Sequence, residues 1–467
     1  MSSSPSNPYV VPREILDKYN TSGPRYTSYP TAPEWQEGFE SEQAISVLRD
    51  NQATRLDVGL SLYVHLPFCH KLCYYCGCNT HVTKDQDLVT RYINALEHEI
   101  GLVAAQIDTS RRKVVQIHWG GGTPTFLNPV QLTRVFKALT RSFQLASDTE
   151  ISLEVHPPVT TFEQLETLQK LGFNRLSMGI QDFDPMVQEA VNRIQPFEQT
   201  RALIEKARSL GFLSINTDLM YGLPHQTVER FKKTLELVEQ LKPDRLALFN
   251  FAYLPWLKPH HKLIKEEALP PADEKVAIFE LAIDTLTHQG YKYIGMDHFA
   301  LPEDELSIAQ AERTLRRNFM GYTTRADSDL LAFGVTSISD LDAAYLANAR
   351  KLNDYFDLLD RGILPTQRGM VLSADDRLRR DVINRLICHC YLDKAEIERL
   401  HDIDFDAYFV AELPKLEPLA ADGLLEIGSG FLKVTPRGQL LLRNICMVFD
   451  AYLAKLAAGE RKFSKTV

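Results

Sequence analysis

The stretch SLYVHLPFCHKLCYYCGCN at residues 61–79 decides the fold class, because a strand-like run leads directly into a cluster of cysteines. Its first six residues are mostly apolar and predict a buried β-strand. Cys69, Cys73 and Cys76 then follow in the spacing C-x3-C-x2-C. Three thiolates this close on one loop can bind three irons of a 4Fe–4S cubane, which leaves the fourth iron without a protein ligand of equal standing. A metal with an open coordination position is typical of a reactive site.

Zinc is the alternative occupant of these cysteines. His65 or His70 could supply a nitrogen ligand, but no second C-x2-C pair follows at the spacing of structural zinc sites, and Cys388 and Cys390 are far away in the sequence. The chain has seven cysteines, an odd number, and in a reducing compartment such a cluster indicates metal binding rather than disulfides. The spacing therefore favours the iron–sulfur cluster.

The region around the cysteines alternates between two textures. Six short β-rich runs lie at 61–66, 114–120, 150–155, 175–180, 214–222 and 245–251. Segments of helical period lie between them at 87–106, 129–142, 161–171, 198–211 and 227–241. This alternation predicts an α/β fold with a parallel sheet, either a partial barrel or an open doubly wound sheet, and periodicity alone does not choose between them.

In both architectures, ligands bind at the carboxyl ends of the strands. The cysteines follow the first run, the glycines 120–122 follow the second, Glu154 ends the third and Gln181 follows the fourth. Adjacent glycines let the backbone approach a ligand closely. Phosphate binding is the alternative use of such a loop, but the sequence Gly-Lys-Ser/Thr is absent. Glu154 could bind ribose hydroxyls or an ammonium group.

Composition and charge are those of an ordinary globular protein. The 467 residues are 44% hydrophobic, which suffices for a normal core and predicts two or three domains. The net charge of −9 argues against broad binding to nucleic acid, and an anionic substrate would need local cations or backbone donors. No apolar stretch reaches the ~20 residues of a membrane helix, and the N-terminus lacks a signal core. We expect a cytoplasmic protein that binds neither nucleic acid nor membrane.

The tail of the chain has a different texture. Helical segments after about residue 375 precede the apolar pairs LLEI and LKVT, which flank Gly-Ser-Gly and predict a hairpin. Helix, hairpin and a following helix indicate a winged-helix-like module. Such modules often bind DNA, but this one lacks a dense basic stripe.

The motif C-x3-C-x2-C after a β-run resembles the signature of the radical S-adenosylmethionine (SAM) superfamily. In that superfamily the open iron is chelated by the amino and carboxylate groups of SAM, and one electron from the cluster yields a 5′-deoxyadenosyl radical. The resemblance implies a 4Fe–4S cluster and SAM as cofactors. It also implies that the loop HWGGGTPT (118–125) contacts the methionine amino group.

Longer strings resemble one family within that superfamily, the oxygen-independent coproporphyrinogen III oxidases. The strings span nearly the whole chain and are GPRYTSYPTA (23–32), SLYVHLPFCHKLCYYCGCN (61–79), HWGGGTPT (118–125), NRLSMGIQDF (174–183), DLMYGLP (218–224), GMDHFA (295–300), RNFMGYTT (317–324) and RNICMVFD (443–450). The resemblance implies a partial (β/α)6 radical SAM barrel with an adjoining segment at 56–360. An N-terminal arm at 1–55 would cover the active site, and 361–467 would form a mostly helical, winged-helix-like C-terminal domain.

The implied reaction converts two propionates of coproporphyrinogen III to vinyl groups, giving protoporphyrinogen IX in haem biosynthesis. The radical removes a hydrogen from the propionate β-carbon, and loss of carbon dioxide and of one electron completes each vinyl group. Two SAM molecules are consumed per substrate, and the family binds both at once. An unidentified one-electron donor and an electron acceptor are required, and the family is often monomeric.

The resemblance also implies particular contacts. The first SAM would contact Tyr63, Gly121, Glu154 and Ile338. The second would contact Tyr75, Gly122, Thr123, Gln181, Arg193, Asp218 and Ala252. Two further predictions come from the residues themselves. Cys78, the fourth thiol, is not needed for the cluster and would serve substrate radical chemistry or pack in the site. Arg25 lies in a Tyr-, Pro- and Ser-rich arm and would help cover the substrate or act as a surface brace.

The chain departs from the family pattern at two positions. The family sequence EVDP reads EVHP here, so His156 replaces an acid, and Tyr75 stands where Phe is common. Tyr keeps the aromatic ring, so stacking should survive. His156 puts only its own contact in doubt.

Two other functions compete with the oxidase. A haem chaperone of the same superfamily would show x-F after the cysteine motif, where this chain has Gly77 and Cys78, and would lack the arm GPRYTSYPT. A zinc-dependent regulator would use the tail as a winged-helix reader, which the acidic balance of the chain disfavours.

Overall fold

The structure is a computed structural model that describes residues 8–325, 328–453, 463, 465 and 466. Residues 1–7 of the predicted arm and most of the last fourteen residues of the predicted C-terminal domain lie outside the described residues. The chain forms two compact units. The barrel unit comprises Gln36–Phe279 and Asp327–Val371, and the tail unit comprises Met1–Trp35, Glu280–Ala326 and Leu372–Val467. The predicted domain boundaries at 55/56 and 360/361 stay a prediction.

Six parallel strands form the centre of the barrel unit, as the alternation of strand and helix predicts. They are β1 (Gly59–Leu66), β2 (Val114–Gly121), β3 (Leu145–Val155), β4 (Arg175–Gln181), β5 (Ser214–Tyr221) and β6 (Arg245–Asn250). Each pairs in parallel with the next in chain order. The α/β fold with βα repeats is therefore confirmed.

Four of the five intervening helices begin directly after a residue whose side chain caps them. The helices are α1 (Gln86–Ala104), α2 (Pro129–Ser142), α3 (Phe162–Lys170), α4 (Phe197–Ser209) and α5 (Val228–Leu241). The side chains of Asp85, Asn128, Thr161 and Thr227 accept hydrogen bonds from the first free N–H groups of α1, α2, α3 and α5. These four helices therefore start close to their predicted residues, since the cap and the apolar period agree, whereas α4 follows Pro196 and has no side-chain cap.

The sheet continues on the other side of β1, in the region whose texture is mixed. β7 (Ser328–Phe333) pairs in parallel with β1, and the antiparallel strands β8 (Ile338–Leu341), β9 (Ala344–Asn348) and β10 (Thr366–Val371) follow. The short strand Gln36–Glu37 pairs with β10. The pairing of β7 with β1 joins residues about 270 positions apart in the sequence, for which no local pattern exists.

The core of the barrel unit lies between sheet and helices. Leu62 and Val64 of β1, Ile117 and Trp119 of β2 and Leu153 of β3 are fully buried. The residues that alternate with them, such as Tyr63 and His118, point to the other face of the sheet, because successive side chains in a strand face opposite sides. Predicted site residues on the strands, such as Tyr63, Glu154 and Asp218, lie on this inner face of the sheet.

Both units contain further helices and short strands. Further helices span Arg13–Tyr19, Ser41–Thr54, Pro185–Ala190, Ala272–His288, Glu305–Ala311, Leu352–Asp360, Ala374–His389, Lys394–His401, Phe405–Tyr408, Glu417–Ala421, Pro436–Leu440 and Leu442–Met447. Further strands span Phe68–Cys69, His81–Val82, Lys292–Gly295, His298–Ala300, Arg316–Asn318, Gly321–Thr323, Tyr391–Asp393, Leu425–Ile427 and Phe431–Val434. None of the helices among the described residues combines the length and apolarity that a bilayer crossing requires.

The tail unit contains the predicted hairpin. Leu425–Ile427 pairs antiparallel with Phe431–Val434, and Tyr391–Asp393 pairs with the same strand from its other side. Helices precede and follow this small sheet, so the helical, winged-helix-like character expected for the tail is observed.

Candidate iron–sulfur and cosubstrate site

The cysteine loop follows β1 and is held by backbone contacts along its length. Cys69 ends the short strand Phe68–Cys69, and its carbonyl accepts a hydrogen bond from Thr83 N at 3.3 Å. Cys76 N donates to the carbonyl of Cys73 at 3.1 Å, which closes a turn between these two thiols. Asn192 Nδ2 donates to the carbonyl of Leu72 at 2.8 Å. The loop is therefore positioned by its own turn and by residues after β4.

Each of the three predicted ligand thiols is free and partly exposed. Cys69 Sγ lies 3.5 Å from Thr123 Oγ1, and Arg193 Nη1 donates to Cys73 Sγ at 3.7 Å. Burial raises the pKa of the Cys69 thiol to about 11, whereas a hydrogen bond from Cys78 lowers the pKa of Cys76 to about 6. The hydrogen bond from Cys78 favours the thiolate of Cys76, and the thiolate is the form that binds metal.

The donors on this loop fit a cluster better than a single ion. Within the part of the chain that the structure describes, no three His, Cys, Asp or Glu side chains converge on one metal-ion position. A cubane binds each thiolate through a different iron, so its ligands need not converge. Arg193 Nε and Gln181 Oε1 are buried and have no hydrogen-bond partner among the described residues. These two polar atoms, one of them on the guanidinium that donates to Cys73, suit a polar ligand.

The glycine loop after β2 runs directly against the start of the cysteine loop. Gly122 N donates to the carbonyl of Leu66 at 2.8 Å, and Thr123 N donates to that of Phe68 at 2.9 Å. A β-carbon on Gly122 would lie 2.6 Å from the carbonyl of Pro67. Gly121 has φ +111°, a conformation that favours glycine, and a β-carbon there would meet the ring of His65. Gly121 and Gly122 therefore allow the loop after β2 to approach His65 and Pro67 more closely than any residue with a side chain could.

Glu154 lies at the carboxyl end of β3 beside that loop. Its Oε2 accepts a hydrogen bond from Gly121 N at 3.0 Å, and its Oε1 lies 3.7 Å from His118 Nε2. Although burial opposes ionisation, these contacts lower the pKa of Glu154. The ring of His118 stacks on that of Tyr63 with centroids 6.0 Å apart. Tyr63, His118 and Glu154 thus form a row across three neighbouring strands, with an ionised acid that can accept hydrogen bonds.

Asp218 lies two strands further along the sheet, on β5. Its carboxylate accepts hydrogen bonds from Asn216 Nδ2 at 2.8 Å and from Ser177 Oγ at 3.2 Å. Burial, reinforced by the charge of Glu154, raises the pKa of Asp218 to about 6. Gln181, at the end of β4, has φ 68° and so lies in the left-handed region. This part of the site therefore combines an acid that burial makes harder to ionise, Asp218, with a strained backbone position at Gln181.

Arg193 lies among these groups. Its Nη2 donates to the carbonyl of Gly179 at 2.5 Å, and a β-carbon on Gly179 would lie 2.9 Å from both Arg193 Nη2 and Gln181 Nε2. The missing side chain at position 179 therefore leaves room for the guanidinium and the amide. The predicted contacts of the second cosubstrate on β4 and after it are brought together here.

The two departures from the family pattern have different surroundings. Tyr75 packs in an apolar cluster with Val187, Val191, Leu223, Phe251 and Ile264, which a Phe ring would also fill. Burial, with the positive charge of Arg193, lowers the pKa of His156 to about 2, so this imidazole is neutral. The substitution at 156 therefore removes a negative charge from the neighbourhood of Arg193 without adding a positive one.

The other predicted site residues are more scattered. Ala252 follows β6 by two residues, and Ile338 opens β8. Cys78 is exposed. Arg25, in the tail unit, forms an ion pair with Asp297 at 2.5 Å. The charge of Arg25 is thus already partnered by a carboxylate.

Three residues at the site were not predicted as functional. His118 contacts Glu154, and Lys258 and His260 contact the cysteine loop: Lys258 Nζ donates to the carbonyl of Cys78 at 3.2 Å, and His260 Nε2 lies 2.8 Å from that of Cys76. On β2, His118 lies between Ile117 and Trp119, which are apolar and buried on the other face, so strand alternation predicts that His118 faces inward. No pattern in the sequence relates Lys258 or His260 to cysteines about 180 residues away.

Comparison with known proteins agrees with this geometry. The model of the Radical SAM superfamily matches residues 63–238, and that of the HemN C-terminal domain matches residues 372–441. The oxygen-independent coproporphyrinogen III oxidase of Synechocystis sp. is 48% identical over 459 residues, covering 97% of both chains. That of Escherichia coli is 48% identical over 453 residues, covering 97% of this chain and 98% of the relative.

A solved structure extends the comparison to the fold. It is described as coproporphyrinogen III oxidase (HemN) from Escherichia coli, a radical SAM enzyme. It has a TM-score of 0.91 at 46% identity and covers 96% of this chain and 100% of that chain. Identity at this level over nearly the whole length confirms the expected family, and the chain belongs to the oxygen-independent coproporphyrinogen III oxidases of the radical SAM superfamily.

Proposed function

We propose that this chain catalyses the oxygen-independent oxidative decarboxylation of coproporphyrinogen III to protoporphyrinogen IX. Each of two propionates loses a hydrogen atom from its β-carbon, its carboxylate as carbon dioxide and one further electron, and becomes a vinyl group. The observation that carries the proposal is the loop with the free thiols Cys69, Cys73 and Cys76 at the carboxyl end of the parallel strands. It occurs in a chain 48% identical to relatives named for this activity.

Cys69, Cys73 and Cys76 would hold a 4Fe–4S cluster, and its remaining iron would take SAM. Bound together and reduced by one electron, these groups would supply the 5′-deoxyadenosyl radical that removes the hydrogen atom. Arg193 supports the cluster assignment, because its guanidinium donates to Cys73 Sγ at 3.7 Å and so positions that sulfur on the loop. Thr123, whose hydroxyl lies 3.5 Å from Cys69 Sγ, supports it in the same way.

We propose that the protein binds two SAM molecules on the inner face of the sheet. The first would contact Tyr63, Gly121, Glu154 and Ile338, and the second would contact Tyr75, Gly122, Thr123, Gln181, Arg193, Asp218 and Ala252. The lowered pKa of Glu154 supports its role, because an ionised acid binds an ammonium group or ribose hydroxyls. Arg193 Nε and Gln181 Oε1, which have no hydrogen-bond partner in the described part of the chain, support the roles of these two residues, since they offer a donor to a carboxylate and an acceptor to an amine.

Two residues, Arg25 and Cys78, are proposed to act on the substrate. Arg25 is proposed to help cover the substrate, with its guanidinium held by the ion pair with Asp297. Cys78 is proposed to assist substrate radical chemistry, and its exposure on the cysteine loop is compatible with that role. The electron donor and the electron acceptor are separate molecules.

An anaerobic assay of the purified, cluster-reconstituted protein tests the function. We expect dithionite, SAM, an added one-electron acceptor and coproporphyrinogen III to yield protoporphyrinogen IX, with two carbon dioxide, two methionine and two 5′-deoxyadenosine molecules per product. SAM cleavage without decarboxylation would overturn the substrate assignment. Haem binding without any product would favour the haem chaperone, and zinc in place of iron and sulfide would favour the zinc-dependent regulator.

A further inference from the structure

A short surface segment, residues 254–265, presents apolar side chains to solvent next to the cysteine loop. Its sequence is LPWLKPHHKLIK. The side chains of Trp256, Leu257 and Leu263 are 67%, 64% and 58% exposed. Single exposed apolar residues are common, but three within eight residues, including a tryptophan, are typical of an interaction surface.

The same segment is attached to the part of the loop that carries Cys76. His260 Nε2 lies 2.8 Å from the carbonyl of Cys76, and Lys258 Nζ donates to the carbonyl of Cys78 at 3.2 Å. Gly77 and Cys78 between these contacts are exposed. A molecule seated on the segment would therefore lie beside one of the proposed cluster ligands, with one imidazole between the two.

The charge of the segment is opposite to that of the whole chain. Residues 254–265 include Lys258, Lys262 and Lys265 and no acid, whereas the chain carries a net charge of −9. Lys71 adds an exposed cation on the cysteine loop itself, and the first acids beyond the segment are Glu266 and Glu267. An acidic protein would be repelled by most of this chain and attracted here, because local charge complementarity steers encounter.

We propose that the 254–265 segment is the docking site of the electron donor, and that this donor is a small acidic one-electron carrier protein. The inference rests on the proposed function, since only a cluster that must be reduced requires such a partner. One electron leaves the reduced carrier and enters the cluster, and no bond forms or breaks. Electron transfer slows steeply with distance, and the segment brings the carrier to the exposed side of the Cys76 loop.

The test uses the full-length, cluster-loaded protein and a plant-type [2Fe–2S] ferredoxin as the acidic probe. The double variant Lys262→Glu/Lys265→Glu reverses two exposed charges without touching the cysteine loop. Its matched control, Lys137→Glu/Lys232→Glu, reverses two exposed charges on α2 and α5. Ferredoxin affinity is measured by calorimetry at low and at raised salt, and cluster reduction by reduced ferredoxin is followed by the electron paramagnetic resonance signal of the reduced 4Fe–4S cluster.

We expect Lys262→Glu/Lys265→Glu to weaken ferredoxin binding at low salt by about tenfold or more and to flatten its salt dependence. The control pair should change both by less than about twofold. Trp256→Ala should weaken binding at every salt concentration by about tenfold, because its contribution is apolar. Equal behaviour of the charge-reversal and control pairs, or unchanged binding by Trp256→Ala, would overturn the docking site.

Dithionite-driven turnover separates this inference from the proposed function. Dithionite needs no docking surface, so Lys262→Glu/Lys265→Glu should retain the wild-type rate and the wild-type KM for coproporphyrinogen III. A raised KM with dithionite would mean that the segment binds the anionic substrate, and it would overturn the donor assignment. Absence of turnover by the wild-type protein with dithionite would instead contradict the proposed function.

Discussion

The carboxyl group of Glu99 accepts a hydrogen bond from the hydroxyl of Tyr355 at 2.6 Å, inside the barrel unit. The same carboxyl group accepts from Gly334 N at 2.7 Å and from Asn348 Nδ2 at 2.5 Å. Glu99 lies on α1, whereas Gly334 directly follows β7 and Asn348 ends β9, in the part of the sheet beyond β1. One buried acid therefore ties the βα repeats to the part of the sheet that carries Ile338.

Glu99→Gln should make the stability of the protein less dependent on pH. Burial raises the pKa of Glu99 from 4.5 to about 7, so the folded protein holds this proton more tightly than the unfolded chain. Its contribution to the free energy of unfolding is full below about pH 4.5 and is lost as the pH rises through about 7. The wild type should therefore lose about 2–3 kcal/mol relative to Glu99→Gln between about pH 5 and pH 8. Urea unfolding of both proteins across that range measures the difference, and a constant difference would contradict it.

Sequence patterns predict the central fold well, because its elements are locally encoded. Most of the βα segments carry their own apolar period and cap, such as Asn128 before α2, so predicted and observed bounds agree within two residues, except that β3 begins at Leu145 rather than at residue 150. The pairing of β7 with β1 has no such local signal, since it depends on a parallel partner far away in the chain. Residues 260–360 therefore carry no local pattern from which their place in the sheet can be predicted.

The site divides in the same way. The cysteine spacing predicts the cluster ligands directly, because three thiolates on one loop need no distant partner. Glu154 follows from its position at a strand end, whereas the roles of residues such as Ala252 and Ile338 came only with the family resemblance. Lys258 and His260 reach the cysteine loop across about 180 residues of sequence, and only the folded chain brings them there.

Gly122→Ala should damage both stability and iron retention. A β-carbon at this position would lie 2.6 Å from the backbone of Pro67, which cannot move without shifting the start of the cysteine loop. We expect a loss of about 2–4 kcal/mol in the free energy of unfolding and a lower iron content after reconstitution. Gly101→Ala is the matched control, because nothing lies within 4 Å of the added carbon. On α1, that change should stabilise the protein by about 0.5–1 kcal/mol. Equal effects of the two substitutions would refute the close-approach argument.

Asp218→Asn should stabilise the cofactor-free protein while removing one SAM site. The pKa of Asp218 is raised from 3.8 to about 6, so its contribution to stability is full below about pH 3.8 and lost as the pH rises through about 6. At about pH 7.5 the buried carboxylate is ionised and destabilises the folded protein. Asn keeps the shape of the side chain and the partners Asn216 and Ser177, so the substitution should raise the free energy of unfolding by about 1–3 kcal/mol. Equilibrium dialysis should show two bound SAM molecules for the wild type and one for the variant. Unchanged stoichiometry would remove Asp218 from the second site.

Removal of single thiols should distinguish the cluster ligands from the neighbouring cysteine. In Cys73→Ser the sulfur that faces Arg193 is lost, and a serine hydroxyl remains protonated where a thiolate is required, so we expect reconstituted iron to fall at least about tenfold. Cys78→Ser changes an exposed thiol on the same loop and should keep iron and sulfide at wild-type levels, which makes it the matched control. Thermal unfolding of both apo variants shows whether the loop itself still folds. A Cys73→Ser protein that retains a full cluster, or a Cys78→Ser protein that loses it, would require a different set of ligands.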